Sequence, residues 1–140
     1  MKAVIDTNVL VPAVWRAEGS PGPVLDAWFA REFELVTSEP ILSELEEVLS
    51  YPSTRRRRGW SAERVVTIMR TLHEGSYVVD PMIQVEIVRD RTDNKFVEAA
   101  LAAEADYIVS VDNDLLTLEH FGDIRIVTPG RFLAILREAS

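Results

Sequence analysis

Five short runs rich in Val, Ile and aromatic residues, separated by helical patterns, constrain this chain more than any other feature. They are Lys2–Ile5, Phe33–Thr37, Ser76–Val79, Tyr107–Val111 and Ile124–Val127. Brief apolar runs alternating with helices read as strands of a parallel sheet, because each crossover lays a helix over one of its faces. The clearest helical pattern is "SEPILSELEEVLS", where Ile41, Leu42, Leu45, Val48 and Leu49 form one stripe behind a Ser38 cap and an early Pro40. Gly22–Arg31, Ala62–Glu74, Asn94–Ala105 and Gly130–Glu138 repeat the helical spacing. The expected fold is therefore α/β: a doubly wound, mostly parallel five-stranded sheet in the order 3-2-1-4-5, with helices on both faces. Breaks at Glu18–Pro23, Tyr51–Ser61 and Asp80–Asp93 read as connections inside a single domain spanning 1–140, since no internal repeat or dividing linker is visible.

A chain of 140 residues buries enough surface to fold without staples, and it contains no cysteine, which removes disulfides, thiolate zinc sites and Cys nucleophiles. Two histidines, His73 and His120, are too few for a His-rich zinc site. Asp6 interrupts the first apolar run before a signal-peptide core could form, and no stretch approaches the roughly 18 apolar residues of a membrane span. A cytoplasmic location without membrane contact is expected. The formal charge of −8, from 23 acidic and 15 basic residues, argues against a broad positive face of the kind that coats nucleic acid. Any nucleic-acid contact would be local or bridged by metal.

The acids are placed unevenly. Ala3-Val4-Ile5 stops on Asp6-Thr7-Asn8 and resumes with Val9-Leu10-Val11. Burying a lone carboxylate costs several kcal/mol unless something compensates it. In an open parallel sheet, ligands bind beyond the carboxyl ends of the strands where the strand order reverses. Asp6 ends the first strand, Asp112 ends the fourth, and Asp93 opens the helix that leads into the fourth strand, so all three fall on one rim. On the "SELEEVL" helix, Glu44 and Glu46 border the apolar stripe on opposite sides and remain rivals by spacing alone. Four carboxylates in one crevice repel by about 4 kcal/mol per pair at 4 Å and an effective dielectric near 20. Oxygen-only donors suit Mg²⁺ or Mn²⁺, as one or two ions. Helix capping is the competing explanation for Asp93, Asp112 and Asp114, and for Asn8 ahead of a helix starting at Val9. It does not explain Asp6, which follows a buried strand.

The motifs "VIDTNVLV", "SELEEVL", "DRTDNKFVEAAL", "ADYIVSVDNDLL" and "IVTPGRFL" occur in this order over nearly the whole chain. Together they resemble a PIN domain of the kind found in VapC-like toxins of toxin–antitoxin pairs. The resemblance implies a metal-dependent endoribonuclease whose acids fall on Asp6, Glu44, Asp93 and Asp112, and this chooses Glu44 over Glu46 by analogy. It puts supporting polar residues on Asn8, Ser110 and Asp114, which would orient metal-bound water and the ligating carboxylates. It further implies a small antitoxin protein as partner and a homodimer. Val111 departs from the Gly that many relatives carry there.

An acidic protein needs a local hold on RNA, and "TRRRRGW" offers one. Arg55, Arg56, Arg57 and Arg58 can grip phosphates, and Trp60 can stack on an unpaired base; a solvated turn is the alternative. Trp15 and Trp28 lie at helical spacing among apolar residues, as core or subunit-interface residues do. Two other readings compete. A haloacid-dehalogenase-like phosphatase starts with a similar Asp, but position 8 is Asn where it needs a general-acid Asp, and its lysine is missing. A receiver-like, non-catalytic binding module needs a lysine after the last strand, where Thr128-Pro129-Gly130-Arg131 stands instead.

Overall fold

The computed structural model of the chain describes residues 1–14, 22–53, 61–81 and 93–139. Among the described residues, the sheet has six strands in the order β3-β2-β1-β4-β6-β5. They are β1 (Lys2–Ile5), β2 (Glu34–Ser38), β3 (Tyr77–Val79), β4 (Tyr107–Val109), β5 (His120–Phe121) and β6 (Ile124–Val127). The first four and β6 are the expected strands, mutually parallel and in the expected order. The sixth is an addition to the five-stranded expectation: β5 pairs antiparallel with β6 at the sheet edge. It returns through Gly122 and Asp123, with Gly122 at φ 59°, a left-handed backbone that glycine adopts without penalty. Two residues are too few to show a period of two, so this strand left no apolar pattern to read.

Side-chain alternation splits the core into two layers. Ala3, Ile5, Leu35, Val109 and Val127 face one side, where they meet α1 (Thr7–Val14), α2 (Pro23–Phe29), α3 (Glu39–Leu49), α4 (Ala62–Gly75) and α7 (Pro129–Ala139). Val4, Val36, Ile108 and Ile126 face the other, where they meet α5 (Asn94–Ala103) and the single turn α6 (Asn113–Leu116). Adjacent residues of one strand point to opposite faces, so a strand buried on both reads as an unbroken apolar run. Phe132 of α7 fixes one layer, its ring edge-on to Phe33 at 4.9 Å and tilted against Tyr107 at 5.8 Å. Trp28 belongs to the same core, whereas Trp15 lies outside the described residues.

Most element boundaries differ from expectation by a residue or two, and two of them have a visible local reason. α5 stops at Ala103 because Glu104 takes the left-handed conformation (φ 52°) that turns the chain into β4. β4 stops at Val109 because the Ser110 side chain is drawn into contacts with Asp6 and Asp112. The Ser38 side chain precedes α3 without making a capping hydrogen bond, and its buried Oγ finds no partner among the described residues. No described helix is long and apolar enough to cross a membrane.

Candidate metal centre at the carboxyl edge of the sheet

Asp6 continues the β1 ladder by one residue, its N–H donating to the Val109 carbonyl at 2.9 Å. That bond fixes the carboxylate at the carboxyl end of the central strand, 1% exposed. Both oxygens are engaged. Oδ1 accepts the Asn8 N–H at 3.0 Å, and Oδ2 accepts the Ser110 hydroxyl at 2.6 Å. The Asp6 carbonyl accepts from Val9 and Leu10, so Asp6 itself caps α1, which starts at Thr7. This corrects two expectations. Asn8 is not the cap, and capping does account for part of Asp6. It does not account for the burial.

Ser110 links Asp6 to the next strand. Its Oγ donates to Asp6 and accepts the Asp112 N–H at 2.9 Å, and Asp112 Oδ1 in turn accepts the Asp114 N–H at 2.8 Å. Asp6, Asn8, Ser110, Asp112 and Asp114 thus form one hydrogen-bonded chain around the ends of β1 and β4. Asp112 caps α6 through the same Oδ1, so capping and a functional role coexist there. Asp93 stands at the cap position of α5, buried, but its side chain makes no capping hydrogen bond. The capping explanation fails for it.

Glu44 and Glu46 separate on burial: Glu44 is half-buried while Glu46 and Glu47 are exposed. The Glu44 charge is felt at Asp6. Burial is the main cause that raises the Asp6 pKa from its ordinary 3.8; hydrogen bonds from Ser110 and the Asn8 backbone oppose it, and the charges of Asp112 and Glu44 add to it. Burial thus disfavours the ionised form of Asp6 even though both its oxygens accept hydrogen bonds.

One residue escaped the sequence reading. Lys95, in the first turn of α5, forms an ion pair with Glu44. A signal was available: the positive end of a helix dipole disfavours a cation in the first turn, so a lysine there asks for an acidic partner. His73 pairs with Glu39 on the surface and His120 lies on edge strand β5. Arg55, Arg56, Arg57, Arg58 and Trp60 lie outside the described residues.

Among the described residues, no three Asp, Glu or His side chains are grouped as a ready cage for a metal ion. Among those residues Glu44 pairs with Lys95, Asp112 accepts from the Asp114 N–H, and Asp6 accepts from the Asn8 N–H and the Ser110 hydroxyl. The donor set still fits a hard divalent ion. It consists only of carboxylate oxygens, and the buried Asp6 carboxylate carries a charge that such an ion would offset. A hollow of about 820 Å³ sits at the opposite, amino end of the sheet among Met1, Lys2, Glu34, Tyr77 and Asp106. Ligands of open α/β sheets bind at the carboxyl edge, so the acids carry more weight than this hollow.

Ser110 tests the linkage directly. Ser110→Ala leaves Asp6 Oδ2 and the Asp112 N–H without their partner, one of them fully buried, and should cost about 1–3 kcal/mol of stability. Urea unfolding would measure it, and a loss below about 0.5 kcal/mol, the range of an indifferent surface change, would count against the role given to Ser110.

A mostly parallel sheet with Asp6 and Asp112 at the ends of the two strands that flank the switch point defines an α/β protein with an acidic site at the carboxyl edge of its sheet. The chain belongs to the PIN domain family, whose model matches residues 2–114. It is 33% identical over 118 residues to an uncharacterized protein of Methanocaldococcus jannaschii, covering 84% of this chain and 75% of that protein. In fold it is similar to a chain of the crystal structure of VapBC2 from Rickettsia felis bound to a DNA fragment from its promoter. The TM-score is 0.58 at 14% identity, over 90% of this chain and 97% of that one. PIN domains are generally nucleases and generally use divalent metal ions.

Proposed function

We propose that this protein is an endoribonuclease that hydrolyses RNA phosphodiester bonds with Mg²⁺ or Mn²⁺, and that it is the toxin of a toxin–antitoxin pair. The observation that carries the reading is the buried carboxylate of Asp6 at the carboxyl end of β1, joined through Ser110 to Asp112. Asp6, Glu44, Asp93 and Asp112 are the residues that would hold the metal. When bound, the ion would activate water and offset the negative charge that develops on the phosphate. The remaining work belongs to the chain. Ser110 and the Asn8 N–H hold Asp6 in one orientation, and the Asp114 N–H does the same for Asp112. Hydrolysis adds water across the P–O3′ bond, leaving a 5′ phosphate and a 3′ hydroxyl. No histidine is required for it.

Arg55 to Arg58 and Trp60 are proposed to hold the flanking nucleotides. The antitoxin is proposed to lie in an apolar groove of about 240 Å³ that begins at Asn8 and runs past Val9, Pro12, Ala13, Val111 and Pro129. Val111 stands exposed on its rim. The likeness to VapBC2 supports a protein partner of this type, and a cytoplasmic homodimer belongs to the same reading. The test is cleavage of single-stranded RNA with Mg²⁺, Mn²⁺ or EDTA. Cleavage is expected with the metals and not with EDTA; RNA left intact under every condition would refute it. Growth arrest on induction, relieved by the product of a short neighbouring reading frame, would separate a toxin from a housekeeping nuclease.

A further inference from the structure

The acidic edge contains a cation of its own. The Lys95 ammonium rests on Oε2 of Glu44, with the lysine side chain 14% exposed and the glutamate 36%. It also lies 4.9 Å from the ring centroid of Phe96, which is fully buried in the sheet layer beneath α5. A lysine held by a carboxylate and an aromatic face is not a freely solvated surface residue. Its position runs against the helix dipole, an unfavourable placement that the Glu44 carboxylate offsets.

We propose that Lys95 stands in for the second cation of the centre, so that the protein binds one divalent ion where a two-ion nuclease would bind a pair. The inference rests on the nuclease reading of the acids. Paired catalytic ions lie about 4 Å apart and share carboxylates. The ammonium takes a Glu44 oxygen that a second ion would need, and its charge repels a divalent ion placed beside it. Glu44 keeps its other oxygen for the ion held with Asp6, Asp93 and Asp112. Lys95 is thus a positioning residue that sets both the orientation of Glu44 and the charge of the crevice.

The experiment is a Mn²⁺ titration of the full chain followed by the electron paramagnetic resonance signal of free Mn²⁺, with melting in EDTA as a second readout. The wild type should bind one Mn²⁺, and so should Lys95→Arg. Lys95→Met should bind two, and its melting temperature in EDTA should fall by about 3 °C as Glu44 loses its counter-charge. Two ions bound to the wild type would overturn the proposal, and that count needs no variant to fold. So would a Lys95→Met protein that binds one ion with unchanged affinity. A wild type that binds no Mn²⁺ would overturn the nuclease reading together with this inference, whereas a wild-type count of two would leave that reading intact.

Discussion

Asp6→Asn is expected to lower RNA cleavage by about 10²-fold or more, because disturbing even the groups that orient a metal ligand costs 10–100-fold and Asp6 is proposed as a ligand itself. The variant should remain folded. Asparagine keeps an oxygen to accept the Asn8 N–H, so the cap of α1 survives. Its amide faces Ser110, whose hydroxyl oxygen can accept where the wild-type carboxylate received. What changes is charge. The amide brings no ionised group into a site that is 1% exposed, and it no longer repels Asp112 and Glu44. Loss of activity should therefore come with a metal-free stability at neutral pH equal to or above that of the wild type. That combination distinguishes a removed ligand from a damaged fold. Cleavage assays and denaturant melts on one preparation would measure both, and wild-type turnover in the variant would dismiss the proposed chemistry.

The sheet was legible because burial on both faces writes itself as unbroken Val and Ile runs, and the strand order follows from how crossovers cover a parallel sheet. β5 was not, since a two-residue edge strand carries no period. The candidate site divides along similar lines. Asp6 stood out because a carboxylate after a buried strand needs a partner, yet that partner, Ser110, lies 104 residues away and becomes visible only once β1 and β4 are set side by side. The beginning of α1 was misplaced for a related reason. Asp6 and Asn8 are both good caps, and the choice is made by the ladder bond from the Asp6 N–H to Val109, which helical spacing cannot see. Glu44 and Glu46 looked equivalent on a helical wheel, and packing of α3 against α1 and α5 exposes one of them and half-buries the other. Lys95 stands in no pattern that the sequence displays, because its pairing depends on Glu44, 51 residues earlier, being laid beside its own helix.

Stability should depend on divalent metal, and the dependence should grow with pH. Burial raises the Asp6 pKa in the folded, metal-free chain above the ordinary 3.8, with Asp112 and Glu44 adding to the effect. A carboxyl whose folded pKa is raised contributes stability that is fully present below its unfolded value and lost as pH rises through its folded value. The wild type in EDTA should therefore lose stability on that climb, and Asp6→Asn should lack this component. A divalent ion binds the ionised carboxylate, so its effect should be small near pH 4 and large at pH 7 to 8. At a hundred times its dissociation constant an ion adds about 2.7 kcal/mol, or roughly 10 °C of melting temperature for a domain of this size. Scanning calorimetry of both proteins with Mn²⁺ and with EDTA, across that pH range, isolates Asp6 as the difference between them. If Mn²⁺ leaves the wild-type melting temperature unchanged at every pH, the carboxyl edge of the sheet is not a metal centre. The acids would then have to be explained by their hydrogen bonds to Asn8, Ser110 and Asp114 and by the ion pair to Lys95 alone.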